Sequence, residues 1–458
     1  MGQGLSFAFV VTAAAVLGAC GNSSQGSNAG PGDSGSGGDA TEPGDASDGG
    51  SGQGYPAFPV DAPQIRKNQG AILASPVLVT ISWPGDTNAS TWEGFGDALG
   101  ASSYWSATTA EYGVAPAKSG PSNHVRMTQP LPPSLSYYDV ENFVVATLQG
   151  ALPDGGVADA GAPNPTWPAP TLDASGHSQT IYSLFIPSST IETDPGTGTS
   201  FCGLGGFGYH DLVTVGSTPV VFSVTLECPG QTTADLEETA AHEVVEAATN
   251  PNAGSPPLGY VGFDADHVAW DLYTQFNDEL GDACQNWEDS YYQESGSLPY
   301  WVQRSWSNTS AVAGHDPCVP AAAGAYHGMT LFPSAESTVS VNATAVGGSM
   351  TSTHGFKATV GQPLTFQVGY FSDASAAPWK IAYDFPASLS NTMGGSLSNG
   401  KATVTIDKSS GQNGDKANVT VTVTAKGGAG FHVMAITWDP PTSKAFLPHY
   451  LPLVIVDQ

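Results

Sequence analysis

Positive charge is scarce in this chain of 458 residues, where 12 Lys and Arg stand against 41 Asp and Glu for a formal net charge of -29. Such a surface repels nucleic acid and anionic lipid headgroups, so neither is an expected partner. Charge of either sign is thin as well, at 12% of residues, and the polar surface must rest on Ser, Thr, Asn, Gln and Gly. No Gly-x-Ser-x-Gly elbow, P-loop or dinucleotide fingerprint occurs, which leaves serine-hydrolase and nucleotide chemistry without a motif. Cysteine is limited to five residues with no C-x-x-C pair, so a thiolate zinc site or a redox motif is not indicated. The apolar run Leu5 to Ala19 is too short to span a bilayer permanently.

That run has the length of a signal peptide and ends in Leu17-Gly18-Ala19-Cys20, which has the look of a bacterial lipobox. Residues 1–19 are therefore expected to be a lipoprotein-type signal peptide. Lipidated Cys20 would anchor an exported outer-membrane or cell-surface protein, and the membrane would be met through that anchor only. Met1-Gly2 also fits a loose myristoylation pattern, outweighed by the apolar core and the small residues before Cys20. Cys202, Cys228, Cys284 and Cys318 then remain for an oxidising compartment. Of the three possible pairings, the sequence-local one joins Cys202 to Cys228 and Cys284 to Cys318.

Residues 20–54 are almost wholly Gly, Ser, Asp, Asn and Pro and cannot bury enough apolar surface to order themselves. The Gly32-Asp33-Ser34-Gly35 string inside them is a product of composition. Residues 55–320 predict a first domain, with a low-complexity insertion at 152–176. Strands are predicted at Val77 to Trp83, Thr180 to Ile186 and Pro219 to Leu226, and helices over Trp92 to Tyr112 (broken near Gly100), Tyr138 to Leu148 and Thr232 to Asn250. Interleaved strands and helices imply an α/β or α+β domain. Residues 325–458 change character. Thr338 to Asn342, Lys357 to Tyr370, Lys401 to Ile406, Asn418 to Ala425, Phe431 to Trp438 and Tyr450 to Val456 alternate apolar and polar residues. That pattern predicts an all-β, Ig-like sandwich acting as an accessory module.

The chemistry concentrates in Thr239-Ala-Ala-His-Glu-Val-Val-Glu-Ala-Ala-Thr-Asn-Pro251. His242 and Glu246 lie four residues apart, on one face of a helix. H-E-x-x-H helices hold zinc in this way and use the Glu as general base; here the second ligand is Glu. Glu243 is the expected catalytic base, taking a proton from a water activated by the metal. The third ligand must come from elsewhere. Asp282 is preferred, because Cys284 two residues later can be clamped by a disulfide. Glu279, His267, Asp271 and His210 are alternatives. One imidazole with two carboxylates is a hard donor set, so calcium or manganese fits beside zinc.

Several segments in order carry a family likeness: Ser200-Phe-Cys-Gly-Leu-Gly-Gly-Phe-Gly-Tyr-His210, Cys228-Pro-Gly230, Ala241-His-Glu-Val-Val-Glu-Ala-Ala-Thr-Asn-Pro251, Glu279-Leu-Gly-Asp-Ala-Cys284, Val302-Gln-Arg-Ser-Trp-Ser-Asn308 and Cys318. Over residues 77–318 the chain resembles the Exordium-like, phosphate-induced protein family of secreted plant proteins and its bacterial relatives. The resemblance implies a surface location, and a metallopeptidase-like helix in which His242, Glu243, Glu246 and Asp282 match the shared motifs. The expected function is an exported metal-dependent peptidase acting on extracellular protein or peptide. The alternative is a non-catalytic surface protein that binds cell-wall polysaccharide or a protein partner, with some of its ten tryptophans as sugar-stacking platforms.

Overall fold

The computed structural model describes residues 54–150, 164–205, 207–253, 256–274, 279–296, 298–332, 336–342, 350–385, 401–427 and 430–458. The signal peptide, Cys20, all but the last residue of the tether, and residues 152–163 of the insertion lie outside the described residues. The architecture is mixed α/β and rich in sheet.

The first half is built on a five-stranded sheet. Its strands are β1 (Val77–Ser82), β2 (His124–Arg126), β3 (Thr180–Ile186), β4 (Gly208–Val215) and β5 (Thr218–Leu226), in the order β2-β1-β3-β5-β4. All pairs are parallel except β4 with β5, so an antiparallel strand closes one edge. Side chains alternate between two covered faces. Val79, Ile81, Tyr182, Leu184, Phe222 and Val224 pack on one side with Val140 and Val144 of helix α3 (Tyr137–Leu148). Leu78, Ile181, Phe185 and Val221 pack on the other with helices α1 (Ala89–Leu99) and α4 (Thr233–Thr249). Helix α1 buries Trp92, Phe95 and Leu99 at helical spacing. It ends where Gly100 passes so close to Ala117 that a Cβ would lie 2.1 Å from the carbonyl oxygen. Helix α2 (Ser103–Thr109) restarts on Ser102, whose hydroxyl accepts from the Trp105 N–H.

After α4 the chain forms α5 (Val268–Thr274), α6 (Asp282–Gln285) and a hairpin of β6 (Tyr291–Gln293) with β7 (Trp301–Gln303). The second half is two sheets. One has the order β8-β11-β15-β13, from His327–Leu331, Pro363–Ser372, Lys416–Val423 and Ala402–Ile406. The other runs β9-β10-β17-β16-β12-β14, from Ser337–Asn342, Met350–Ala358, His449–Asp457, Phe431–Trp438, Trp379–Asp384 and Ser410–Gly411. Both sheets contribute to one core that includes Phe356, Phe366, Val419 and Met434. The stretch expected as one strand, Lys357 to Tyr370, is two. Gly361 takes a φ of 80° between β10 and β11 and lets the chain turn there.

Candidate metal centre

Helix α4 starts on a reciprocal cap, in which the Thr232 hydroxyl accepts from the Asp235 N–H and the Asp235 carboxylate accepts from the Thr232 N–H. From Leu236 to Thr249 every residue is buried. His242, Glu243 and Glu246 are thus ionisable groups in an interior, and each needs partners. Two structures supply them. On one flank runs β4, where His210 stands opposite Ser223 of β5 and turns to the helix. On the other runs the segment from Glu279 into α6, backed by β7.

Four carboxylates and two imidazoles meet there. His242 Nε2 lies 2.9 Å from Glu246 Oε2 and 3.7 Å from Asp282 Oδ1. His210 Nδ1 lies 3.2 Å from Glu243 Oε2 and 3.9 Å from Glu246 Oε2, and its Nε2 is 3.6 Å from Glu279 Oε1. The side chains of His210 and Glu246 are 2% and 3% exposed, and that of Asp282, at the mouth, is 20% exposed. Among the described residues, every ion pair of these carboxylates is with one of the two imidazoles. Burial depresses both histidines, yet the facing carboxylates prevail. Glu246 raises His242, and Glu279 with Glu243 raises His210, each well above the usual histidine range. Burial raises Glu246, which His242 draws partly back, while burial and then Glu246 hold Asp282 well above the carboxylate range. The cluster requires positive charge, either as protons or as a cation.

The surroundings fix which atoms point inward. Gln303 Nε2 donates to the Gly281 carbonyl at 2.8 Å, so its Oε1 faces His242 Nδ1 at 3.1 Å and accepts that N–H. In the neutral imidazole the lone pair then falls on Nε2, toward Glu246 and Asp282. The N–H groups of Gly281 and Asp282 donate to Glu246 Oε1, each at 3.0 Å, which leaves Oε2 for the cluster. His210 Nε2 faces the Asn250 carbonyl at 3.0 Å, and Asn250 also donates to Glu279. Two glycines make room. A Cβ on Gly281 would lie 2.6 Å from His242 Nδ1, and one on Gly208 would lie 2.9 Å from Glu243 Oε1. The Cys284–Cys318 disulfide holds the Asp282 segment, and Cys202 is joined to Cys228.

Ligand atoms of His242, Glu246 and Asp282 lie within 4.8 Å of one another, as do those of His210, Glu246 and Glu279. One imidazole nitrogen and two carboxylate oxygens, with outer hydrogen bonds fixing their orientation, fit a divalent ion. His267 and Asp271, two of the alternatives for the third ligand, stand elsewhere. His267 Nδ1 bonds Asp264 at 2.8 Å, and Asp271 Oδ1 accepts from the Phe263 N–H at 2.9 Å. The reason is that the turn 265–267 and α5 pack against the second half of the chain. Sequence reasoning missed Gln303, Asn250 and the two glycines. Gly208 and Gly281, each near a candidate ligand in the sequence, were the only available signal.

No family model matches the chain, and no curated protein matches it. Among solved structures, domains 4 and 5 of the S-layer protein SbsC match over 22% of this chain and 46% of that one, at 18% identity and a TM-score of 0.15. The chain therefore spans less than half of that structure, at a score too low to carry an argument about fold. The two disulfides suit an oxidising, extracellular setting, and no helix among the described residues is long and apolar enough to cross a membrane.

Proposed function

We propose that the protein is an exported, divalent-metal-dependent peptidase tethered through Cys20, with the ion held by His242, Glu246 and Asp282 and with Glu243 as base. Zinc suits the imidazole, and calcium or manganese suits the carboxylates. The observation that carries this reading is the convergence of His242 Nε2, Glu246 Oε2 and Asp282 Oδ1, the first two oriented by Gln303 and by the N–H groups of Gly281 and Asp282, and the third also accepting from Gln285 Nε2 at 2.8 Å. An ion bound there supplies Lewis acidity to a scissile carbonyl and acidity to an attacking water. Glu243, next along the helix, turns to β4 and can accept the proton of that water. His210 beside it keeps the carboxylate in place.

Strand β4 supports a peptide as substrate. It is an edge strand, paired among the described residues with β5 alone, and its open N–H and C=O groups can receive an extended chain passing Glu243. The likeness to the Exordium-like family supports the same reading. Low exposure of the ligands favours a second one: a non-catalytic surface protein in which the ion is a structural staple and the surface binds a cell-wall polymer or a protein. Tryptophan gives that reading little help, because all tryptophans but Trp301 are buried.

The test is Glu243→Gln in purified mature protein, assayed for metal content and for cleavage of unstructured protein substrates. The peptidase reading expects the same metal content in both forms and loss of cleavage by at least about 100-fold in the variant. Metal-loaded protein whose cleavage is indifferent to Glu243 would overturn it.

A further inference from the structure

A second group of ligand-type side chains lies far from α4 in role and partners, where the two halves of the chain meet. Asp61 comes from the segment leading into the first half. Glu336 precedes β9, and His354 sits in β10 opposite Thr338. The turn 264–267 packs against β10, and the Thr353 hydroxyl donates to the Asp266 carbonyl at 3.0 Å.

Three observations point to a missing positive ligand. The Glu336 side chain is only 9% exposed, and its Oε2 has no hydrogen-bond partner among the described residues. Its neighbour His354 Nδ1 lies 3.8 Å away, too far for a hydrogen bond, and is itself a buried atom without a hydrogen bond among the described residues. His267 Nε2, ion-paired with Asp61 Oδ1 at 3.4 Å, is a third buried atom without a hydrogen bond among the described residues. These atoms border one cavity of about 30 Å³, room for a single ion or water. The outer nitrogens of both imidazoles face carboxylates of the same turn. His267 Nδ1 bonds Asp264 at 2.8 Å, and His354 Nε2 faces Asp266 Oδ1 at 3.5 Å. Imidazoles so held direct their other nitrogen inward, as metal-ligating histidines do. Ligand atoms of Asp61, Glu336 and His354 lie within 4.8 Å of one another. Two ligands about 2.1 Å from one ion stand roughly 3.0–3.5 Å apart, so a shift of a few tenths of an ångström brings the Glu336–His354 pair onto a shared centre.

We propose that Asp61, Glu336 and His354 bind a divalent transition ion of the zinc class at the seam between the two halves, with His267 bordering the site. The imidazole suits such an ion, as it does at the α4 site. Its ligands come from both halves, so the ion clamps one to the other. Asp61 and His354, at 38% and 40% side-chain exposure, leave it a way in.

The experiment is zinc titration of metal-free, full-length mature protein against a chromophoric indicator. Wild type, Glu336→Gln, His354→Gln, Asp61→Asn and His242→Ala are compared, with circular dichroism confirming folding. The seam site expects each of the first three variants to bind one equivalent fewer than wild type and to lose part of the zinc-induced rise in thermal midpoint. His242→Ala should retain the seam equivalent. If the α4 site held no metal, wild type would bind one equivalent and Glu336→Gln none, so failure of that reading is distinguishable. Folded Glu336→Gln and Asp61→Asn that bind as much zinc as wild type would overturn the seam site.

Discussion

At the scale of single residues, the candidate centre depends on side chains that are not among its candidate ligands. Gln303 decides which His242 nitrogen is free, because its amide is committed to the Gly281 carbonyl and offers only an acceptor to Nδ1. Gln303→Leu should lower metal affinity roughly 10- to 100-fold, the usual cost of losing an outer hydrogen bond to a ligand histidine. Glu246 and Asp282 stay in place in that variant, so competition titration should show weaker binding without loss of stoichiometry. Gly281→Ala should act differently. Its φ of -73° suits any residue, but the added methyl would fall 2.6 Å from His242 Nδ1 and 2.8 Å from Glu246 Oε1. Overpacking of this kind costs about 1–3 kcal/mol, and here it also pushes two ligands off line. A lower thermal midpoint together with lost metal would bear this out. Wild-type affinity would show that the segment yields freely.

At the scale of elements, α4 explains why a wholly buried helix can carry so many acids. Glu237 accepts the Trp301 N–H at 2.9 Å and ties the helix to β7. Glu238 has no comparable donor among the described residues, and burial, with Asp235 and Glu237 nearby, pushes its carboxyl up to about 8. The unfolded chain ionises this group near 4.5, so its contribution to stability is fully present below that pH and is lost as pH rises through about 8. Glu238→Gln should therefore be more stable than wild type at pH 8, by on the order of a few kcal/mol at most, with the gap closing toward pH 4.5. Urea titrations at pH 5 and 8 would measure it, and an equal difference at both would show that Glu238 stays ionised in the folded protein.

The same helix shows what was legible beforehand. Its cap, its length and its stop at Pro251 are local facts, and so are the apolar runs of β1, β3 and β5, buried on both faces. Strand β4 was not read as a strand. Gly208, His210 and Leu212 face α4 while Tyr209 and Val213 face the other layer, so polar and apolar residues fall on both faces and no period-2 signal survives. His210 thus stood only as an outside candidate. Gln303 was invisible for a different reason, because its role comes from a tertiary hydrogen bond to a residue 22 positions away. Asp282, whose Oδ1 lies 3.7 Å from His242 Nε2, was preferred because a cysteine nearby marks a fixed backbone, which is again a local cue.

At the scale of the whole molecule, the two halves share an interior instead of hanging from a linker. Trp270, Tyr273, Trp287 and Trp306 of the first half belong to the same core as Val339, Val341, Phe431, Val433 and Tyr450 of the second. Tyr450 sits at the junction, its ring centroid 4.5 Å from Tyr273, 5.2 Å from Trp270 and 5.5 Å from Trp287. The leading segment crosses over as well. Phe58 meets Phe332 edge-on at 5.1 Å, and the Asp61 N–H faces the Thr330 hydroxyl at 3.3 Å. Large buried aromatics contribute roughly 1.5–3 kcal/mol each, so this junction couples the halves more tightly than an accessory module on a flexible joint would be. Calorimetry of the full chain should show one cooperative transition. A fragment of residues 55–320 should unfold at a lower temperature and bind a hydrophobic dye through its uncovered tryptophans. Tyr450→Ala, which removes the ring at the centre of the contact, should lower the single midpoint by about 3–5 kcal/mol equivalent. Two well-separated transitions in wild type, with only the later or only the earlier one shifted by Tyr450→Ala, would mean that the halves fold independently and that the shared core adds nothing to their coupling.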